Sequence, residues 1–301
     1  MNNPSDNPGN HVPRQRLQFL ADYWTLTKPE VNFLVLVSTL VGFYLGSRGR
    51  LDFFRLFHTL MGTLLVASGT GTLNQYIERQ SDRQMRRTAN RPLPAGRLGP
   101  AEALWFGIAL AALGGWELWV FTNPLTSTLA LSTLVAYLAL YTPLKSRTPL
   151  CTLVGAFPGA MPPLIGWAAA RNSLGLEAWG LYAILFLWQF PHLLAIAWMY
   201  REDYARASLQ LLPRNDPEGR TTAWQILGYS LALIPASLMP VFLGQAGRVY
   251  LVGALVLGLG FFHFGMRLAL QRSNSLARRV VLASIVYLPL VFGLLMVDKT
   301  R

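Results

Sequence analysis

The chain has 301 residues, 52% of them hydrophobic and only 13% charged, with a formal net charge of +12 and a mean hydropathy of +0.35. A water-soluble domain carries about 25% charged residues, so the composition excludes an ordinary soluble protein and makes lipid the main solvent. The single cysteine, Cys151, excludes an intrachain disulfide or a cysteine-rich metal site, and the basic residues lie between apolar runs, as membrane topology requires, rather than on one nucleic-acid-binding domain.

In chain order, residues 1–22 form a polar tail with Pro and Asn. The tail has no apolar stretch and reads as neither a secretory signal nor a convincing transit peptide. Residues 23–301 read as one transmembrane domain. Nine apolar segments follow, near 31–47, 55–77, 101–122, 125–142, 150–170, 178–199, 223–244, 248–270 and 279–297. A spanning helix needs ~20 apolar residues. Backbone in lipid must satisfy its own hydrogen bonds, so these are helices and the expected fold is all-α. The third and fourth are parted only by Asn123-Pro124, a tight hairpin.

Alternate loops differ in charge. Those after the second, fourth, sixth and eighth spans hold 16 Lys and Arg, against 5 in the other four. The positive-inside rule then places the N-terminus and the arginine-rich loops in the cytoplasm. Two of those loops, about 78–100 and 200–222, are long, and each begins with acids and arginines. Four spans separate them, which suggests a weak internal repeat.

The stretch NQYIERQSDRQMRRTANRPLPAG, residues 74–96, carries Asn74, Glu78 and Asp82 at spacings of four. On a helix they lie at 0, ~40 and ~80 degrees over ~12 Å, one oxygen-rich stripe. Hard oxygens suit Mg²⁺, which commonly takes one or two carboxylates together with substrate phosphates. The neighbouring arginines, Arg83, Arg87 and Arg91 among them, offer forked donors for phosphate. The same spacing also describes a solvated helix end with surface ion pairs. Lys145, at the end of the fourth span, is either a diphosphate contact or a topology charge.

The fifth segment is punctuated by Gly155, Pro158, Gly159, Pro162, Pro163 and Gly166. Such breaks are tolerated where neighbouring helices or a cavity satisfy the freed backbone. The sixth ends with Glu202 and Asp203, and His192 lies eleven residues before Asp203. An unbroken helix would return His192 to within ~20 degrees of Asp203's face and ~16 Å below it. Ionisable groups at membrane depth are functional by default, although a neutral imidazole bonded to a neighbouring helix fits as well.

Three stretches together resemble one family. VASGTGTLNQYIERQSDRQMRRTANRPLP, TLVGAFPGAMPPLIGW and LWQFPHLLAIAWMYREDYARASLQLLP are similar, in the same order, to signatures of the intramembrane prenyltransferases of the UbiA superfamily, and most closely to its haem-farnesylating branch. The resemblance covers about residues 20–298. It implies nine helices around an intramembrane cavity in a bacterial inner membrane. It also implies transfer of a farnesyl group from farnesyl diphosphate to the 2-vinyl group of haem b. Water addition then gives haem O, handed on to haem A synthase or a haem-copper terminal oxidase. Residue by residue it implies Mg²⁺ on Asn74, Glu78 and Asp82, with Asp203 as a further metal or catalytic position. Arg83, Arg87, Arg91 and Lys145 would bind diphosphate, and His192 would contact the haem as an iron ligand or hydrogen-bond donor. The sequence departs from the family's pattern at position 78, usually Asp and here Glu, and Tyr200 and Tyr204 stand where other superfamily members carry acids. A prenyltransferase for an aromatic quinone precursor and a non-enzymatic transporter are the alternatives. Acids gathered at one end rather than the midplane disfavour the transporter.

Overall fold

The computed structural model describes residues 11–212 and 216–300. Among them, nine helices are long and apolar enough to cross a membrane. They are α2 (Pro29–Gly46), α3 (Phe53–Gln84), α4 (Pro100–Phe121), a fourth span Pro124–Leu144, a fifth span Cys151–Arg171, α9 (Leu176–Met199), α11 (Arg220–Phe242), α12 (Arg248–Gln271) and α13 (Asn274–Val297). The expected segments are all present as helices. The second extends seven residues past its apolar run, which carries the whole 74–82 stripe on helix.

Two short-range rules explain most boundaries. Pro29, Pro100, Pro124 and Pro162 each sit in a first helical turn, where the missing N–H costs nothing. Side chains of Asp52, Asn123 and Ser273 cap α3, the fourth span and α13 by accepting backbone N–H bonds.

The sequence reading did not anticipate three features. A helix, α1 (His11–Leu26), begins inside the expected polar tail, and its buried Asp22 takes two hydrogen bonds from Arg97, at 3.0 and 3.1 Å. The fourth span is α5 (Pro124–Val135), a wider π-helical stretch Ala136–Tyr141, and a last turn α6 (Thr142–Leu144). The sixth span is not continuous with the acids that follow it: α9 stops at Met199, Tyr200 leaves helical geometry, and α10 (Arg201–Arg206) starts afresh. The eleven-residue argument joining His192 to Asp203 on one helical face is therefore corrected.

The fifth span is broken, as its prolines require. It divides into α7 (Cys151–Gly159) and α8 (Pro162–Arg171), and Gln189 from α9 donates at 2.9 Å to the Ala156 carbonyl, which also accepts the Ala160 N–H at 3.1 Å. Small residues then let helices meet backbone to backbone. On α8, Gly166 lies against the Thr39 carbonyl of α2, and on α2, Gly42 lies against the Pro163 carbonyl. Gly62 of α3 and Gly114 of α4 face each other in the same manner. The main apolar core joins α2, α7 and α8 to α9, α11, α12 and α13, with Leu181, Ile184, Ile226, Leu288 and Phe292 almost wholly enclosed.

Candidate active site

Lys28 precedes the first span directly. Its backbone is left-handed (φ 54), an unusual conformation for a residue with a side chain. The turn is held from α3: Gln75 donates to the Leu26 carbonyl at 2.9 Å and Thr72 to the same oxygen at 3.3 Å. Asn32 adds a bond to the Thr27 carbonyl at 2.8 Å. So fixed, the Lys28 ammonium donates to Asn74 Oδ1 at 2.7 Å. Desolvation by burial lowers its pKa to about 7, helped by the positive charges of Lys145 and Arg91.

The stripe is buried, not splayed into solvent. Asn74 and Asp82 are each 1% exposed, and Glu78 is half-buried. Every member has a cation. Glu78 Oε1 lies 2.7 Å from Lys145 Nζ, a charge contact without the alignment of a hydrogen bond. Asp82 Oδ2 accepts from Arg91 at 2.9 Å. Asn74 spends its amide N–H on Thr142 Oγ1 at 3.2 Å, where the π-helical stretch closes. That stretch also brings the Tyr141 ring beneath Lys145 Nζ, 4.5 Å away.

The loop after α3 folds back over the site. Thr88 donates to the Asp82 carbonyl at 2.9 Å, and Leu93 and Leu98 pack with Leu26 and Ala103. The second long loop meets it. Arg87 donates to the Tyr204 hydroxyl at 3.2 Å and lies over the rings of Tyr200, at 4.8 Å, and Tyr204, at 5.9 Å. Gln210 N donates to the Lys145 carbonyl at 2.6 Å.

The remaining named residues are arranged differently. Arg83, in the last turn of α3, donates to the Pro94 carbonyl of the loop that follows, at 3.0 Å. Asp203 pairs with Arg206. Among the described residues, no three His, Cys, Asp or Glu side chains converge as a metal site. The stripe supplies two carboxylates and an amide oxygen instead. His192 stacks on Trp188 with ring centres 5.0 Å apart, and its Nδ1 lies 2.7 Å from Ser284 Oγ of α13. Ser284 Oγ also contacts the Val281 carbonyl at 2.6 Å. A hydroxyl proton directed there would make Nδ1 the donor of this contact, the tautomer that leaves a lone pair on Nε2.

Lys28 is a site residue that the sequence reading misses. A lysine and a proline directly before the first apolar run were the available signal; its contact with Asn74 spans 46 residues and has no local pattern.

The oxygen stripe in this helical bundle is buried, ringed by cations and covered by two loops, a set of charges that can hold an anionic group. Residues 35–288 match the UbiA prenyltransferase family, and the chain belongs to that family. A digeranylgeranylglyceryl phosphate synthase has the same fold, with a TM-score of 0.77 at 17% identity over 93% of this chain and 98% of that one. So does a UbiA homologue from Archaeoglobus fulgidus bound to DMAPP and Mg²⁺, with a TM-score of 0.66 at 14% identity over 91% and 99%. At the level of sequence, a protoheme IX farnesyltransferase from Solibacter usitatus is 53% identical over 289 residues, covering 93% of this chain and 99% of the relative. Another, from Koribacter versatilis, is 44% identical over 300 residues, covering 96% and 97%.

Proposed function

We propose that the chain is a haem-farnesylating membrane prenyltransferase, transferring the farnesyl group of farnesyl diphosphate to the 2-vinyl group of haem b. The identity to protoheme IX farnesyltransferases over nearly the full length of both chains carries this reading. The site's chemistry supports it. The allylic C–O bond breaks and leaves diphosphate; the vinyl carbon bonds to the allylic carbon. Water captures the resulting cation beside the porphyrin ring and loses a proton, giving the hydroxyethylfarnesyl chain of haem O.

The donor set fits Mg²⁺. Two carboxylates and an amide oxygen on one helical face are hard ligands, and substrate phosphates would complete them. When bound, the ion supplies charge neutralisation for the leaving diphosphate. The protein's own part is electrostatic. Lys28, Lys145 and Arg91, each held against a stripe residue, can turn to the diphosphate oxygens once the stripe is engaged. Arg87, seated between Tyr200 and Tyr204, adds a fourth donor from the roof. Arg83 and Asp203 reach the substrate only by leaving their present partners, so we assign them to loop closure before chemistry. The Mg²⁺, Asp203 and arginine assignments belong to this proposal. So does an orientation with the roofing loops on the cytoplasmic side of a bacterial inner membrane, supported by the 16-to-5 bias of Lys and Arg. Transfer of the product to haem A synthase or a terminal oxidase belongs to it as well.

The test is an assay of the purified chain with haem b, farnesyl diphosphate and Mg²⁺, read by mass spectrometry. The expected product gains one farnesyl group and one water, and its formation stops with chelator. Prenylation of 4-hydroxybenzoate with haem b left unchanged would instead identify the quinone-precursor reading.

For His192, the free Nε2 lone pair predicts haem contact. His192→Ala should raise the KM for haem b about tenfold, the typical 1–2 kcal/mol of one lost contact, and leave the KM for farnesyl diphosphate unchanged. Equal changes in both would assign the residue to helix packing.

A further inference from the structure

The bundle end opposite the stripe holds a second site. Lys28 and Gly46 lie at the two ends of α2, whose 18 residues span ~27 Å. Around the Gly46 end, with the α8–α9 turn, the α11–α12 turn and the last described residues, lies a cavity of about 650 Å³. That is within the range of ligand pockets.

Its polar lining is one-sided. Arg48, Arg171 and Lys299 face a single acid, Glu177. Arg171 uses its Nε on the Gly46 carbonyl and lies over the Trp167 ring, leaving the outer guanidinium nitrogens. Lys299 donates to the carbonyls of Tyr44, at 2.7 Å, and Ser47, at 2.9 Å, leaving one of its three protons. Arg48 is exposed and makes no hydrogen bond or ion pair among the described residues. Gln245 also lines the cavity. It is only 8% exposed, yet both polar atoms of its side chain lack a hydrogen-bond partner. Buried amides are seldom left so. Burial, with the charge of Arg171 nearby, holds the Lys299 ammonium below its ordinary pKa, as expected where cations outnumber acids.

We propose that this cavity binds an amphiphile through an oxyanion headgroup, carboxylate or phosphate, held by Arg48, Arg171 and Lys299, with its apolar body against Leu51 and the exposed Val297. Gln245 offers both a donor and an acceptor to the head's remaining polar atoms. Two sources share that chemistry: the phosphate of an anionic phospholipid and the propionates of a porphyrin. The site is separate from the stripe and does not depend on the assigned reaction.

Native mass spectrometry of the detergent-purified full chain tests it, with phosphatidylglycerol, phosphatidylcholine or haem b added singly. At least one anionic probe should be retained in preference to phosphatidylcholine. Arg48→Glu, at an exposed and unbonded position, should cut that retention at least fivefold. Glu177→Gln should raise it at least twofold, and Asp82→Asn should leave it unchanged. Retention of phosphatidylglycerol that Arg48→Glu abolishes assigns a lipid headgroup, and a fraction of haem b retention that Arg48→Glu removes and His192→Ala leaves in place assigns propionates. Equal retention of phosphatidylcholine, indifference to both cavity substitutions, or loss of retention in Asp82→Asn instead would overturn the site.

Discussion

Asp82→Asn should lower turnover by a factor of about 10²–10³, the usual cost of losing one preorganised electrostatic contact, because on the proposed reading the Asp82 carboxylate would hold the cation that neutralises the leaving diphosphate. The substitution is close to isosteric. The Thr88 bond goes to the Asp82 backbone carbonyl and survives it. Arg91 loses its partner but is partly exposed and can be solvated. The variant should therefore keep the parent's thermal midpoint while losing activity, measured by product formation and by melting of the purified protein. Glu78→Asp makes the contrast. It retains the charge opposite Lys145 and moves it back by one methylene, toward the family's usual residue, so turnover within tenfold of the parent is expected. Full activity in Asp82→Asn would remove the stripe from the chemistry altogether.

Gly166→Leu should have the largest effect on stability. The new side chain would be driven into the Thr39 carbonyl, so α2 and α8 would have to separate. Ordinary overpacking costs about 1–3 kcal/mol. Here the opposing atoms are backbone and cannot rotate away, so a loss at or above about 3 kcal/mol is expected. Cys151 provides the readout, being buried and the only thiol in the chain. Its reaction with a thiol-specific dye during heating should begin at a clearly lower temperature in the variant. Gly228→Ala, which meets open space, should not shift it. Matching curves for Gly166→Leu and the parent would mean that the close approach of α2 and α8 contributes little.

The spans were legible because hydropathy is a one-dimensional signal in a lipid solvent, and the break of the fifth was legible because proline lacks an N–H. The stripe was legible because a spacing of four keeps Asn74, Glu78 and Asp82 on one face of a helix that extends well beyond its apolar core. What escaped depends on tertiary contacts. Tyr200 carries no proline or glycine to announce that α9 ends there. α1 is polar and is anchored through Asp22 by an arginine 75 residues away. The partners of the stripe arrive from three elements, at positions 28, 91 and 145, and only two of those were named in advance. Arg83 was singled out for its neighbourhood in sequence, but its side chain donates to a carbonyl of the loop that follows α3.

The ion pairs inside the stripe do not balance. Lys145 and Arg91 already balance the two negative groups of Glu78 and Asp82, and Lys28, its pKa lowered to about 7 by burial, adds a partial third positive charge. A bare divalent cation approaching that surplus is repelled, whereas a cation already complexed to a more highly charged polyanion arrives as a net anion and is attracted. On the proposed reading, electroneutrality would then favour loading of metal and prenyl donor together, and would select against metal accumulating at an idle site.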